Sequence, residues 1–227
     1  MKVLKLALCA AAAASLLSAG AASAEAPTVA WNVGVASDYV FRGISQTDEN
    51  PEVFGGVDVT SGILYAGAWA SNVDFGDSTD AEVDLYAGVT PTLGPVSLNL
   101  GAIYYGYVNA PDDADWAYWE LKAAGSVPVG PATVGAAFYY SPEYTGHTGE
   151  ALYSELNGSY SPMEKLSVSG AYGHQALEDT DGYNTWNVGA TYAFTDHVSG
   201  DVRFSDTDID ACDICGERVY ATLKATF

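Results

Sequence analysis

The stretch Arg218-Val219-Tyr220-Ala221-Thr222-Leu223-Lys224-Ala225-Thr226-Phe227 closes the chain and decides how the rest is read. Val219, Ala221, Leu223, Ala225 and Phe227 are apolar, while Arg218, Thr222, Lys224 and Thr226 fall between them. Side chains alternate faces along a strand, so this segment has one apolar and one polar wall. The rhythm recurs upstream. Trp186, Val188, Ala190, Tyr192 and Phe194 alternate with Asn187, Gly189 and Thr191; Val83, Leu85, Ala87 and Val89 alternate with Glu82, Asp84, Tyr86 and Thr90; and Val198, Val202 and Phe204 stand against Ser199, Asp201 and Arg203.

A soluble sandwich would alternate as well, so the spacing of the runs carries the argument. Twelve candidate strands are placed at 29–42, 52–60, 63–72, 81–90, 96–107, 116–126, 132–140, 151–160, 165–173, 183–194, 197–205 and 217–227. Segment 63–72 alternates poorly and is included on spacing. Short turns rich in Gly, Pro, Ser and Asp join every second pair. The other connections, 43–51, 73–80, 108–115, 141–150, 174–182 and 206–216, are longer and hold most of the acids. Short turns at one end and long loops at the other, with no run of roughly 20 apolar residues, predict an all-β, up-and-down antiparallel transmembrane β-barrel with periplasmic turns and extracellular loops. Its aromatics are expected in two girdles. Trp31, Tyr160, Tyr192, Phe194 and Phe227 mark the periplasmic end, and Trp69, Tyr104, Phe138, Tyr140, Tyr172, Trp186 and Phe204 the outer end.

The N-terminus carries an export signature. Lys2 and Lys5 precede an apolar run from Leu6 to Leu17, and Ala22-Ser23-Ala24 stands just before Glu25. These are the parts of a secretory signal peptide, so cleavage is expected after Ala24. Residues 1–24 form the signal and 25–227 the barrel. Cys9 is not followed by a lipobox-like cleavage point. Without Lys2 and Lys5, six basic residues stand against 29 acidic ones. That balance excludes nucleic acid as a partner, because phosphate binding needs clusters of Lys and Arg. The low share of charged residues, 16%, also separates the chain from a disordered acidic tail.

If the apolar alternates face lipid, the lumen receives Asp38, Arg42, Asp58, Glu82, Asp84, Glu120, Lys122, Glu155, Asp201, Arg203, Arg218 and Lys224. Such rows either form a charged constriction that orients a small polar solute or pair with one another and fill the interior. Twelve strands fall between side-chain-filled barrels and open channels; a narrow pore is the expectation.

Three features of the loops bear on chemistry. Asp206-Thr207-Asp208-Ile209-Asp210 with Glu217 imitates a calcium loop, but Ala211 stands where the sharp turn wants glycine, and a solvated acidic loop is expected. Cys212-Asp213-Ile214-Cys215 has no second Cys pair for zinc and no βαβ surroundings for a redox site. An exported, oxidising location predicts a disulfide between Cys212 and Cys215. His147, His174 and His197 read as surface histidines, and no Ser/His/Asp set is singled out. No enzyme activity and no cofactor are expected.

From the first strand onward the residues resemble a known family. Ser37-Asp38-Tyr39-Val40-Phe41-Arg42-Gly43-Ile44-Ser45-Gln46-Thr47 is similar to the opening of the TorF-type porins, conserved hypothetical proteins of the outer membrane. Trp69-Ala70-Ser71-Asn72-Val73-Asp74, Glu82-Val83-Asp84-Leu85-Tyr86-Ala87-Gly88, Tyr104-Tyr105-Gly106-Tyr107 and Tyr118-Trp119-Glu120-Leu121 extend the likeness. It implies an outer-membrane barrel and a pore, and supplies no catalytic or binding residue. The terminal Phe227 resembles the signal read by the barrel-assembly machinery.

The expected function is passive diffusion of small polar solutes across the outer membrane of a Gram-negative bacterium, with cations favoured by an acidic rim. Expected partners are outer-membrane lipid and lipopolysaccharide, the assembly machinery and small solutes. A structural barrel whose acidic loops bridge divalent ions to the outer leaflet is the alternative, and an outer-membrane hydrolase the third.

Overall fold

The computed structural model describes residues 26–227; the expected signal peptide and its cleavage point lie outside the described residues. Twelve long strands make one sheet: β1 (Thr28–Ala36), β2 (Glu52–Ser61), β3 (Leu64–Asn72), β4 (Ala81–Val89), β5 (Val96–Val108), β6 (Tyr118–Val129), β7 (Ala132–Ser141), β8 (Ala151–Met163), β9 (Leu166–Leu177), β10 (Tyr183–Ala193), β11 (Val198–Thr207) and β12 (Arg218–Thr226). Each pairs antiparallel with its neighbour in sequence, and β1 pairs with β12 through Val35 opposite Leu223 and Gly34 opposite Lys224. The sheet therefore closes on itself, and no long edge strand is left. The result is an all-β, 12-stranded antiparallel barrel with both described ends at the short-turn rim.

The alternation places the walls. Val219 is 69% exposed, Leu156 66% and Val188 53%; no helix or second sheet covers them among the described residues. In water a continuous apolar wall would be an aggregation surface. In hydrocarbon it is matched, and a closed ladder leaves no backbone donor or acceptor facing lipid. The short turns at Gly62, Gly94 and Gly130 have φ of 57°, 61° and 60°, the left-handed region that glycine enters without a Cβ clash.

Three expectations are corrected. The first strand stops at Ala36, not at residue 42, and segment 37–51 leaves the wall and enters the barrel. It folds into a small hairpin, Val40–Phe41 against Ile44–Ser45. Of residues 37–42, only Val40 and Phe41 are strand, and they belong to that hairpin. Asp38 and Arg42 therefore sit on this inward segment rather than on a wall strand. Secondly, Trp69 does not join the outer girdle. It shares a face with buried Ser71, and its ring lies 5.3 Å from Tyr39 inside the barrel. Thirdly, β9 continues to Leu177, so His174 and Gln175 lie on a strand rather than in a loop.

Candidate functional site: the lumen and its inward segment

The hairpin tip is Arg42-Gly43, with φ of 48° and 87°. A two-residue turn with positive φ at both positions matches the twist of a hairpin, and Asn-Gly usually fills it. Arg in the first place is strained and persists only where its surroundings hold it. A Cβ on Gly43 would lie 2.4 Å from the Thr207 side chain and 2.5 Å from that of Thr185, so the tip is seated against β10 and β11.

The Arg42 guanidinium donates to both oxygens of Glu120 on β6, at 2.8 Å each, and to Gln175 Oε1 on β9 at 2.9 Å. It lies 4.4 Å from the Tyr153 ring, 4.7 Å from Phe41 and 5.2 Å from Tyr139. The Tyr105 hydroxyl adds a bond to Glu120 Oε2 at 3.1 Å, and its ring stacks on Tyr118 at 4.4 Å. Glu120 and Gln175 are each 1% exposed. A planar fork on a carboxylate, walled by aromatic faces, is a geometry that Arg satisfies and Lys does not.

Two further anchors hold the segment. Asp38 accepts from Ser45 Oγ at 2.5 Å, Thr47 Oγ1 at 3.1 Å and Arg218 Nη1 at 2.9 Å, and Arg218 also meets Glu49 at 3.5 Å. The Tyr39 hydroxyl donates to Glu82 on β4 at 2.7 Å. From the long-loop end, Ile214 O accepts from Ser45 N at 2.9 Å and Cys215 O from Thr207 Oγ1 at 2.7 Å. Cys212 and Cys215 are joined in a disulfide in that loop.

Nearer the short-turn end the lumen is looser. Asp58 accepts from Tyr86 Oη at 2.7 Å, and Glu155 accepts from Tyr153 Oη at 3.1 Å and Asn157 Nδ2 at 2.9 Å. Arg203 donates to Asn187 at 2.7 Å, Ser169 at 3.0 Å and Asp201 at 3.1 Å. Lys122 stands 5.7 Å from the Tyr139 ring, and Lys224 is exposed near the rim. Asp84 Oδ1 is buried without a hydrogen-bond partner among the described residues. A cavity of about 290 Å³ lies against Arg42, bounded by Tyr139, Tyr153, Glu155, Asn187 and Tyr220. Another, about 410 Å³, opens between Asn157, Ser169, Ala171 and Arg203.

Residue-type reasoning missed Tyr39, Tyr105, Tyr153 and Gln175. Tyr105 and Tyr153 have the same strand parity as the charged lumen residues, and that parity was the signal available. Elsewhere the chemistry is sparse. Among the described residues no three His, Cys, Asp or Glu side chains gather as a metal-ligand group. Asp208 instead accepts from Asn184 N at 2.7 Å and Asn184 Nδ2 at 2.6 Å, which holds its carboxyl below the ordinary range. His174 Nδ1 lies 3.0 Å from Asn184 Oδ1, and His147 is 3.4 Å from Asp115.

The family described as "Bacterial protein of unknown function (Gcw_chp)" matches residues 19–227. No match was found among curated proteins. Solved structures with a similar fold include the KdgM porin, 8% identical over 88% of this chain and 98% of that one, with a TM-score of 0.58. The KdgM porin in complex with disordered oligogalacturonate is 9% identical over 88% and 98%, with a TM-score of 0.59. The NanC porin is 9% identical over 87% and 98%, with a TM-score of 0.60. At such identities the likeness is one of fold: a closed antiparallel β-barrel.

Proposed function

The chain belongs to the Gcw_chp family of bacterial proteins of unknown function, and we propose that it is a narrow outer-membrane channel for small polar solutes that favours cations. The observation that carries this reading is the closed barrel with an apolar outer wall and polar cavities inside it. In the proposed mechanism solutes cross by diffusion, filtered by lumen width and fixed charge rather than by turnover.

The charge count supports the cation preference. Arg42, Arg203 and Arg218 are each matched by a carboxylate. Asp58, Glu82 and Asp84 project from β2 and β4 with no Lys or Arg within ion-pairing distance among the described residues. A solute passing that side meets carboxyl oxygens and no guanidinium, a lining that suits cations better than anions. The acidic long loops face the cell exterior in this reading and extend the same preference.

Single-channel recording in planar bilayers under a KCl gradient tests it. Discrete current steps with a reversal potential on the cation side are expected. Anion preference overturns the selectivity. Absence of current from both the wild-type chain and a form with segment 39–48 shortened overturns the channel. The filled upper lumen favours a second reading, a structural barrel whose acidic loops bind divalent ions. Mg²⁺ raising the unfolding temperature, with no current from either form, would be its signature.

A further inference from the structure

We infer that segment 37–51 is a gate resident in the lumen, and that Arg42 sets its closed position. The inference rests on the channel reading and adds the residue that decides what passes. Four walls hold the segment: β4 through Glu82, β6 through Glu120, β9 through Gln175 and β12 through Arg218. A chain tethered at one wall would line a pore. This one bridges the bore.

The chemistry of the tethers distinguishes a gate from a permanent plug. A permanent plug is most simply built by apolar burial, which is lost only by exposing that surface to water. Here each of these wall tethers is a hydrogen bond or an ion pair. A buried ion pair stands close to balance between its Coulomb attraction and the hydration its partners give up. Wetting such a contact therefore exchanges one set of polar partners for another, at far smaller cost than exposing a core. The strained Arg-Gly turn adds to this, because its left-handed arginine is kept by the contacts at the tip.

Arg42 also occupies the decisive place. It lines the cavity of about 290 Å³ together with Tyr105, Tyr139 and Tyr153, and its guanidinium is held there by Glu120. Withdrawing its side chain would widen that cavity toward the long-loop end. The hinge is defined at the N-terminal side, where Ser37 N donates to Ala221 O and Ser37 Oγ accepts from Ala221 N, fixing the start of the segment to the wall. On the far side Gln46 O accepts from Asp74 N at 2.8 Å. The moving part is the tip between these two attachments.

The test uses the full mature chain in planar bilayers, with folding verified by the heat-dependent shift in gel mobility. Arg42→Ser and Glu120→Gln are each expected to raise single-channel conductance several-fold. The exchange Arg42→Glu with Glu120→Arg restores opposite charges and is expected to return conductance toward the wild-type value, a rescue that mere loosening of the barrel would not give. A chain with 39–48 replaced by a short link is expected to conduct at least as well as Arg42→Ser. If that chain conducts strongly while both single variants match the wild type, Arg42 is not the latch. If all forms conduct equally, the channel stands and the gate is overturned. If none conducts, the channel reading fails and the gate falls with it.

Discussion

Along β6 the lumen-facing residues run Tyr118, Glu120, Lys122, Ala124 and Ser126, and along β9 they run Gln175, Gly173, Ala171, Ser169 and Ser167, from the long-loop rim toward the turns. On β8 the series is Tyr153, Glu155, Asn157, Ser159. The two halves of the lumen thus share strands and differ in residue size. Large polar and aromatic side chains in the upper half meet the inward segment and lock around Arg42. Small ones in the lower half line the cavity of about 410 Å³, into which Arg203 reaches to donate to Ser169. Twelve strands make a barrel too wide for wall residues alone to fill, so whether a level is blocked depends on what a loop brings to it. Residue size along one parity of the strands reports where the loop arrives.

The sharpest way to break this comparison is to remove one upper carboxylate. Glu120→Ala leaves the Arg42 charge buried beside Tyr153 and Tyr139, and uncompensated buried charges cost about 3–5 kcal/mol. Lys122→Ala, one step down the same strand face, removes an ammonium that makes no ion pair among the described residues and is expected to cost below about 1 kcal/mol. Urea unfolding in lipid vesicles, followed by tryptophan fluorescence, measures both. Equal losses would mean that the upper half is no more tightly knit than the lower.

Next in size is the contrast between lumen and lipid on β10. Val188 points outward at mid-strand, and Arg there is expected to cost about 2–4 kcal/mol in the bilayer. Thr191 faces inward and donates to Asp201 at 2.7 Å. Thr191→Arg loses that bond but keeps its charge in a wet lumen beside an acid, so its loss should be clearly smaller in the same unfolding assay. Reversed sizes would invert the assignment of faces.

How far the sequence carried this picture differs between wall and lumen. Strict alternation, as in β10 and β12, is a direct print of a two-faced environment, so strand number, closure and face could be read from it. Segment 63–72 shows the limit. Ala66, Ala68 and Ala70 give the lipid side little hydrophobic contrast against Gly67 and Ser71, so spacing found the strand but parity did not place Trp69. The inward segment was illegible for a different reason. Of residues 37–42 only Val40 and Phe41 are strand, paired with Ile44–Ser45 in a separate hairpin, and local sequence cannot tell which sheet a segment joins. Arg42-Gly43, which takes positive φ at both positions, was the one local hint of a tight turn. The contacts that decide its place, to Glu120 and Gln175, lie 78 and 133 residues away.

A smaller effect is expected from the buttress above the gate. Ile214 O and Cys215 O hold Ser45 N and Thr207 Oγ1, and the Cys212–Cys215 disulfide closes the short loop that presents them. Replacing both cysteines with Ser should raise conductance by less than Arg42→Ser does, because the guanidinium contacts stay intact. A rise as large as that of Arg42→Ser would move the latch from the lumen to the loop.

The smallest effect belongs to the exposed rim and separates it from the buried knot. Asn184 donates from its side chain and its backbone to Asp208, and these bonds hold the Asp208 carboxyl below its ordinary value. A carboxyl with a depressed native pKa contributes stability that is complete above the unfolded value of about 3.9 and is lost as pH falls through the native value. The contact should therefore be intact at neutral pH and fail only in acid. Its full exposure lets solvent and salt screen it, so the change should stay local. Hydrogen exchange measures this as the protection of the Asn184 amide relative to that of Asn187, within one strand, so that the intrinsic pH dependence cancels. The ratio should fall on acidification, and Asp208→Asn should remove that fall. A ratio flat with pH would mean that Asp208 does not hold the strand end. A fall reaching the amides around Glu120 would mean that rim and knot open together, and the lumen would then have one level of stability instead of two.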